Sequence, residues 1–155
     1  MDWKTLFFSA DGRIGRSAFW LGWLVLLGVN VVLGWIPLIG GLLSLVTIYC
    51  NVCVTSKRLH DMGRSGFLQV WPWLLCSVLV VGSIVMVAGP AIVAGASDMD
   101  EAAIKAAVLG GVGGMLLGLL AAFAIGLSFL LWIGVSNGDA SDNKYGPPPA
   151  APTVA

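Results

Sequence analysis

Lys57-Arg58-Leu59-His60-Asp61-Met62-Gly63-Arg64-Ser65-Gly66 is a polar island between two long apolar runs. It holds three of the chain's eight Lys/Arg residues and its only histidine, with Asp61 at the histidine's side. Outward from this island the composition turns strongly apolar. Of the 155 residues, 58 % are hydrophobic and 10 % charged, and the mean hydropathy is +0.94. Soluble domains carry roughly a quarter charged residues, so this composition belongs to an integral membrane protein. Four runs are long enough to cross a hydrocarbon core, which takes about 20 helical residues. They fall near 18–36, 38–56, 67–94 and 106–135. The expected fold is an all-α integral membrane protein, a four-transmembrane-helix bundle with a cytoplasmic polar cap.

Charge sets the orientation. Lys4, Arg13, Arg16, Lys57, Arg58, Arg64 and Lys144 lie in three segments that four crossings place on one side. Lys105 lies apart, with Asp98, Asp100 and Glu101. The positive-inside rule makes the basic side cytoplasmic. The expected organisation is an interfacial arm at 1–17, a membrane domain at 18–135 and a cytoplasmic polar, Pro-rich tail at 136–155. Within the membrane domain, 57–66 is a cytoplasmic loop and 95–105 an outer loop. Trp20, Trp23, Trp71, Trp73 and Trp132 sit toward the cytoplasmic ends of their spans and Trp35 at the far interface, as interfacial indoles do. The first apolar run is too long for a cleavable signal peptide, and no small-residue cleavage pattern follows it. The expected topology is therefore multi-pass, with both termini cytoplasmic.

Along the chain, Asp11-Gly12 signals a turn and Ser17 is a candidate cap for the first span. Pro37 separates the first two spans as a tight hairpin. Ser44, Thr47, Asn51 and Thr55 give the second span one polar face, which should turn toward other helices. Gln69 is a candidate partner for Asn51 and Thr55, whereas Asn30 is placed too far away to meet Asn51. The fourth span repeats small residues at Gly110, Gly114, Gly118, Ala122 and Gly126, a ridge that permits close helix packing or a homo-oligomer seam.

Several chemistries are disfavoured. Cys50 and Cys53 match C-x-x-C but lie inside a span, where buried thiols act as small hydrophobes. Cys76 and His60 do not complete a metal site, so no metal and no cofactor are expected. His60 and Asp61 are adjacent and point apart on a helix, a weak acid–base dyad, and Ser65 reads as a cap rather than a nucleophile. No catalytic residue is assigned. The spans carry no ionisable side chain of the kind that marks an ion-coupled path. Nothing in the chain points to nucleic acid.

The remaining candidates are the polar segments themselves. Arg13, Arg16, Arg58, His60, Asp61, Arg64, Asn143 and Tyr145 read either as a self-satisfied polar cap or as a site for an anion. The partners in view, beyond the lipid bilayer, are an anionic lipid headgroup or the acidic group of a membrane protein partner. Asp11, Asp61, Asp139 and Asp142 are available to pair with the arginines. Two alternatives remain: a small membrane enzyme using His60 and Asp61 on a lipid-like substrate, and a passive channel or accessory transporter subunit.

Three motifs carry a family resemblance. Phe8-Ser-Ala-Asp-Gly12-Arg13-Ile-Gly-Arg16-Ser-Ala-Phe19-Trp20, Arg58-Leu59-His60-Asp61-Met62-Gly63-Arg64-Ser65-Gly66-Phe67 and Asn143-Lys144-Tyr145-Gly146-Pro147-Pro148-Pro149 occur in this order. The chain resembles the domain of unknown function 805 family, the YhaH-like small bacterial inner-membrane proteins. It departs from the pattern in a longer gap before Gly12 and in Lys57 where a second arginine is common. The resemblance implies a bacterial plasma-membrane protein and a shared purpose for the motif residues. It supplies no reaction.

Overall fold

The computed structural model describes residues 2–96 and 100–149. Its elements are helices: α1 (Trp3–Phe8), α2 (Arg16–Leu33), α3 (Ile39–Asp61), a 3₁₀ turn (Gly66–Gln69), α4 (Val70–Ala96) and α5 (Glu101–Val135). Four stretches, Arg16–Leu33, Ile39–Asp61, Gly66–Pro90 and Glu101–Val135, are long and apolar enough to cross a membrane. The protein is all-helical in its described elements. Large apolar side chains such as Val32, Leu42, Leu45, Val78, Leu117 and Leu120 lie uncovered along these helices. Faces of this kind are stable against lipid, where helices close every backbone hydrogen bond internally.

The chain divides into two units, residues 1–69 with 131–155 and residues 70–130. In the first, Asp2 caps α1 by accepting from the Lys4 backbone N–H at 3.0 Å, and the helix buries Leu6. Gly15, not Ser17, precedes α2, and it offers no side-chain cap. Ser17 lies inside the first helical turn, because the helix already starts at Arg16.

Close packing of α2 against α3 is possible because Gly22 has no side chain. A Cβ there would touch Leu6 and Val54 at 3.5 Å. Phe19, Leu26, Cys50, Cys53, Val54, Leu59 and Ile133 complete this unit's buried apolar set. Lipid tails are as apolar as these side chains, so helix association rests on packing fit and interhelical hydrogen bonds. Thr47 supplies one such bond, donating to the Asn30 Oδ1 at 3.2 Å.

The rest of the polar face stays on its own helix: Ser44 donates to the Gly41 carbonyl and Thr55 to the Asn51 Oδ1. Gln69 bonds Ser56 at 2.8 Å, rather than Asn51 or Thr55.

The end of α3 is decided by Gly63. Arg64 N–H donates to the Leu59 carbonyl at 2.9 Å and Gly63 N–H to the His60 carbonyl at 3.0 Å. This paired arrangement closes a helix only when the residue between adopts a left-handed conformation, and Gly63 has φ +67. Ser65 then starts the next segment, its Oγ accepting from the Phe67 N–H at 3.3 Å.

In the second unit, α4 and the first thirty residues of α5 pack through small residues. A Cβ on Gly111 would collide with the Met86 carbonyl, and one on Gly118 with the Ser83 hydroxyl. Gly114 lies against the Met86 side chain, and Cys76 Sγ donates to the Ala122 carbonyl at 3.3 Å. The working face is thus Gly111, Gly114, Gly118 and Ala122. A Cβ on Gly110 or Gly126 would meet nothing within 4 Å, so these two glycines lie off the contact face. Pro90 is accommodated inside α4.

At about 1.5 Å per residue the 35 residues of α5 span roughly 52 Å, well beyond a hydrocarbon core of about 30 Å. Its start, expected in the outer loop, is helical and carries an exposed Glu101–Lys105 pair at 2.7 Å. Asp98, also assigned to that loop, lies outside the described residues, as does the last part of the Pro-rich tail.

Candidate functional site: a polar clasp of three segments

The first unit brings the arm, the end of α3 and the residues after α5 together around one carboxylate. Asp61 is positioned by the last turn of α3, immediately before the glycine-closed end. Its Oδ1 accepts from Arg13 at 3.1 Å, and its Oδ2 from Arg58 on the preceding turn. Both arginine side chains are 1 % exposed and the aspartate side chain 5 %. Buried charges at this depth are tolerated only when paired and fully hydrogen-bonded.

The arginines meet that requirement largely with backbone carbonyls. Arg13 donates from Nη1 to Ser141 at 2.8 Å and Gly146 at 3.1 Å, and from Nη2 to Asp139 and to the Asp61 carbonyl. Arg58 donates from Nε to the Ile133 carbonyl at 2.9 Å and from Nη2 to that of Ser136. Arg16 shares the Ser136 carbonyl through its Nε at 3.1 Å. The planar fork of arginine is what allows one side chain to hold several acceptors at once.

The tail is fixed by further contacts. Asp139 N–H donates to the Asp61 carbonyl at 2.7 Å. Asn143 Nδ2 reaches the His60 carbonyl at 3.0 Å and the Asp139 Oδ2 at 2.9 Å. Asn143 and Gly146 form a small bridge, with Gly146 at φ +118. The bridge presents Tyr145, which stacks on His60 with ring centroids 3.7 Å apart and planes 8° from parallel. His60 Nδ1 faces the Gly12 carbonyl at 3.3 Å.

Two glycines make this closeness possible. A Cβ on Gly138 would overlap the Asp61 carboxylate, and one on Gly63 would stand 2.6 Å from the Asp139 Oδ2.

Among the sequence candidates, Arg13, Arg58, Asp61, Asn143, His60 and Tyr145 therefore meet in one cluster, with Arg16 at its edge. Arg64 does not join it: its guanidinium lies over the Trp132 ring, 5.1 Å from the centroid, on the exposed side. Only Asp61 of the four candidate acids pairs with arginine; Asp139 contributes its carbonyl to Arg13 instead. Asp61 is also not available to orient His60, since its oxygens go to the two arginines. Among the described residues, no group of three or more His, Cys, Asp or Glu is placed to hold a metal ion.

Sequence reasoning missed Gly134, whose missing side chain admits Trp20. A Cβ would lie 2.5 Å from the indole, which donates to the Gly134 carbonyl at 3.2 Å. It also passed over Lys57, which is 4 % exposed and donates to the Thr5 carbonyl. A lysine directly abutting an apolar run was the available signal for a buried charge.

Four membrane-length helices and a buried clasp of charge define a multi-pass helical protein. Its residues 7–147 match the family described as "Protein of unknown function (DUF805)", and the chain belongs to that family. Similar curated proteins are the "Uncharacterized protein YiiR" of Escherichia coli strain K12 and its counterpart in Escherichia coli O157:H7. Each is 40 % identical over 79 residues, covering 44 % of this chain and 53 % of the relative. The chain thus spans about half the length of the curated relatives it matches. No solved structure matches it.

Proposed function

We propose that this is a non-enzymatic multi-pass protein of the bacterial inner membrane, with both termini in the cytoplasm, whose basic end engages anionic lipid headgroups. The observation that carries the reading is the division of labour among the cations. Arg13 and Arg58 are consumed by Asp61 and backbone carbonyls and serve as internal stitches. Lys4, Arg16, Arg64 and Lys144 remain on the exposed surface of the same unit.

Meeting of the arm, the 57–66 segment and the tail in one cluster supports an even number of crossings. The Lys/Arg bias of these segments supports the cytoplasmic side. Exposed cations next to the membrane attract anionic lipid by about 1 kcal/mol each. The engagement of Asp61 with two arginines argues against an Asp61–His60 acid–base pair, because each of its carboxylate oxygens is held by an arginine.

Native mass spectrometry from mild detergent tests the reading. Wild type should retain phosphatidylglycerol over phosphatidylcholine, and the Lys4→Gln/Arg16→Gln/Arg64→Gln/Lys144→Gln variant should lose that preference while staying folded. Equal retention of both lipids by wild type would overturn it.

A further inference from the structure

We propose that the groove between the arm and the start of α2 binds a phosphoester anion, held by Lys57, Arg16 and the first-turn amides of α2. This rests on the anionic-lipid reading above and narrows it to one site.

Lys57 is the first reason. The residue is 4 % exposed, and among the described residues the hydrogen-bond acceptor of its ammonium is the Thr5 carbonyl. No carboxylate pairs with it among the described residues. An ammonium carries three donors, and this one has a single bonded acceptor with only the longer-range attraction of Asp11 beside it, so a counter-anion would engage the remaining donors.

The second reason is what lies beside it. Lys57 lines a groove of about 980 Å³ that is also bounded by Gly15, Arg16 and Ser17. That is the amino end of an 18-residue helix whose preceding residue, Gly15, supplies no capping acceptor. Uncapped first-turn N–H groups and the positive end of the helix dipole favour an anion at this point. Arg16 adds a guanidinium of which Nε alone is engaged, by the Ser136 carbonyl. Leu6, Ile14 and Ala18 line the same groove and give an apolar wall.

The acids on the groove are mostly occupied. Asp2 caps α1, Asp61 holds the two arginines, and Asp139 accepts from Asn143. Asp11 is the exception, and its charge opposes an incoming anion.

The test uses the full-length protein, delipidated in mild detergent and titrated with dioleoylphosphatidylglycerol by native mass spectrometry. Inorganic phosphate is added as competitor. Arg16→Gln and Lys57→Gln should each weaken lipid binding about tenfold, the scale of one charge-assisted hydrogen bond. Asp11→Asn should tighten it.

Should Lys57→Gln fail to fold, Arg16→Gln and Asp11→Asn carry the test, since both positions are exposed. Displacement by millimolar phosphate assigns recognition to the anion alone; resistance to it assigns recognition to the whole headgroup. Wild-type affinity in both Arg16→Gln and Asp11→Asn overturns the groove. If binding then depends on Lys4, Arg64 or Lys144, the broader lipid reading survives. If wild type binds no anionic lipid at all, both fall.

Discussion

Replacing Asp61 with asparagine should do more damage than any other near-isosteric change in the chain. The side chain keeps its shape but loses the charge that balances Arg13 and Arg58, both 1 % exposed. Half of the new group is an amide N–H₂, which points donors at guanidinium donors. Removing one partner of a buried ion pair typically costs about 3–5 kcal/mol, most of it from the charge left behind. Here two guanidiniums are left at once, so the upper end is expected.

For a chain of this size about 1 kcal/mol corresponds to roughly 2–4 °C, so the apparent Tm in mild detergent should fall by roughly 6–20 °C. The loss should start locally. Arg13 joins the arm to Ser141 and Gly146, so releasing it frees the tail. Limited proteolysis between residues 136 and 149 should therefore accelerate before the helices unfold. An apparent Tm within about 2 °C of wild type, with equal protection of the tail, would refute the claim that Asp61 holds the clasp.

Other outcomes follow from the same contacts. Gly134→Ala should destabilise the protein by about 1–3 kcal/mol, because the methyl meets the Trp20 ring; thermal unfolding with indole fluorescence reads both effects. Gly118→Leu should disrupt α4–α5 packing while Gly110→Leu is tolerated, a contrast visible in detergent stability and oligomeric state. His60→Gln should leave phosphatidylglycerol retention intact and cost about 0.5–1.5 kcal/mol through the lost stack on Tyr145. Cys53, 1 % exposed, should resist a polar maleimide until detergent denaturation, while a fast reaction of the folded protein would contradict its burial.

The helices were legible because long apolar runs broken by charged residues leave few other structures stable in lipid. The motif residues were legible as polar islands and Ser65 as a cap, but hydropathy ended the second span at 56, whereas α3 runs on through the charged residues to Asp61 and closes at Gly63. The pairing of the motif residues was not legible. Arg13 finds its partners 48 to 133 residues away, and most of them are backbone carbonyls, which carry no residue identity.

Asp139 and Ser136 illustrate the point: each contributes its carbonyl oxygen rather than its side chain to the arginines. Gly114, Gly118 and Ala122 of the small-residue ridge meet α4 as expected, but its ends do not, since Gly111 rather than Gly110 faces α4 and Gly126 meets nothing. A period of four drifts around a helix of 3.6 residues per turn, so a fixed stripe cannot stay on one contact face. Gly134 escaped notice because Leu130 interrupts that stripe before it reaches the clasp.

The central claim is that the arm, the 57–66 segment and the tail share one membrane face. Single cysteines at Lys4→Cys, Lys105→Cys and Lys144→Cys, in a chain with Cys50, Cys53 and Cys76 changed to alanine, test it directly. A membrane-impermeant maleimide is applied to right-side-out spheroplasts and to inverted vesicles. Positions 4 and 144 should label only in inverted vesicles and position 105 only in spheroplasts. Labelling of positions 144 and 105 from the same side would contradict the account.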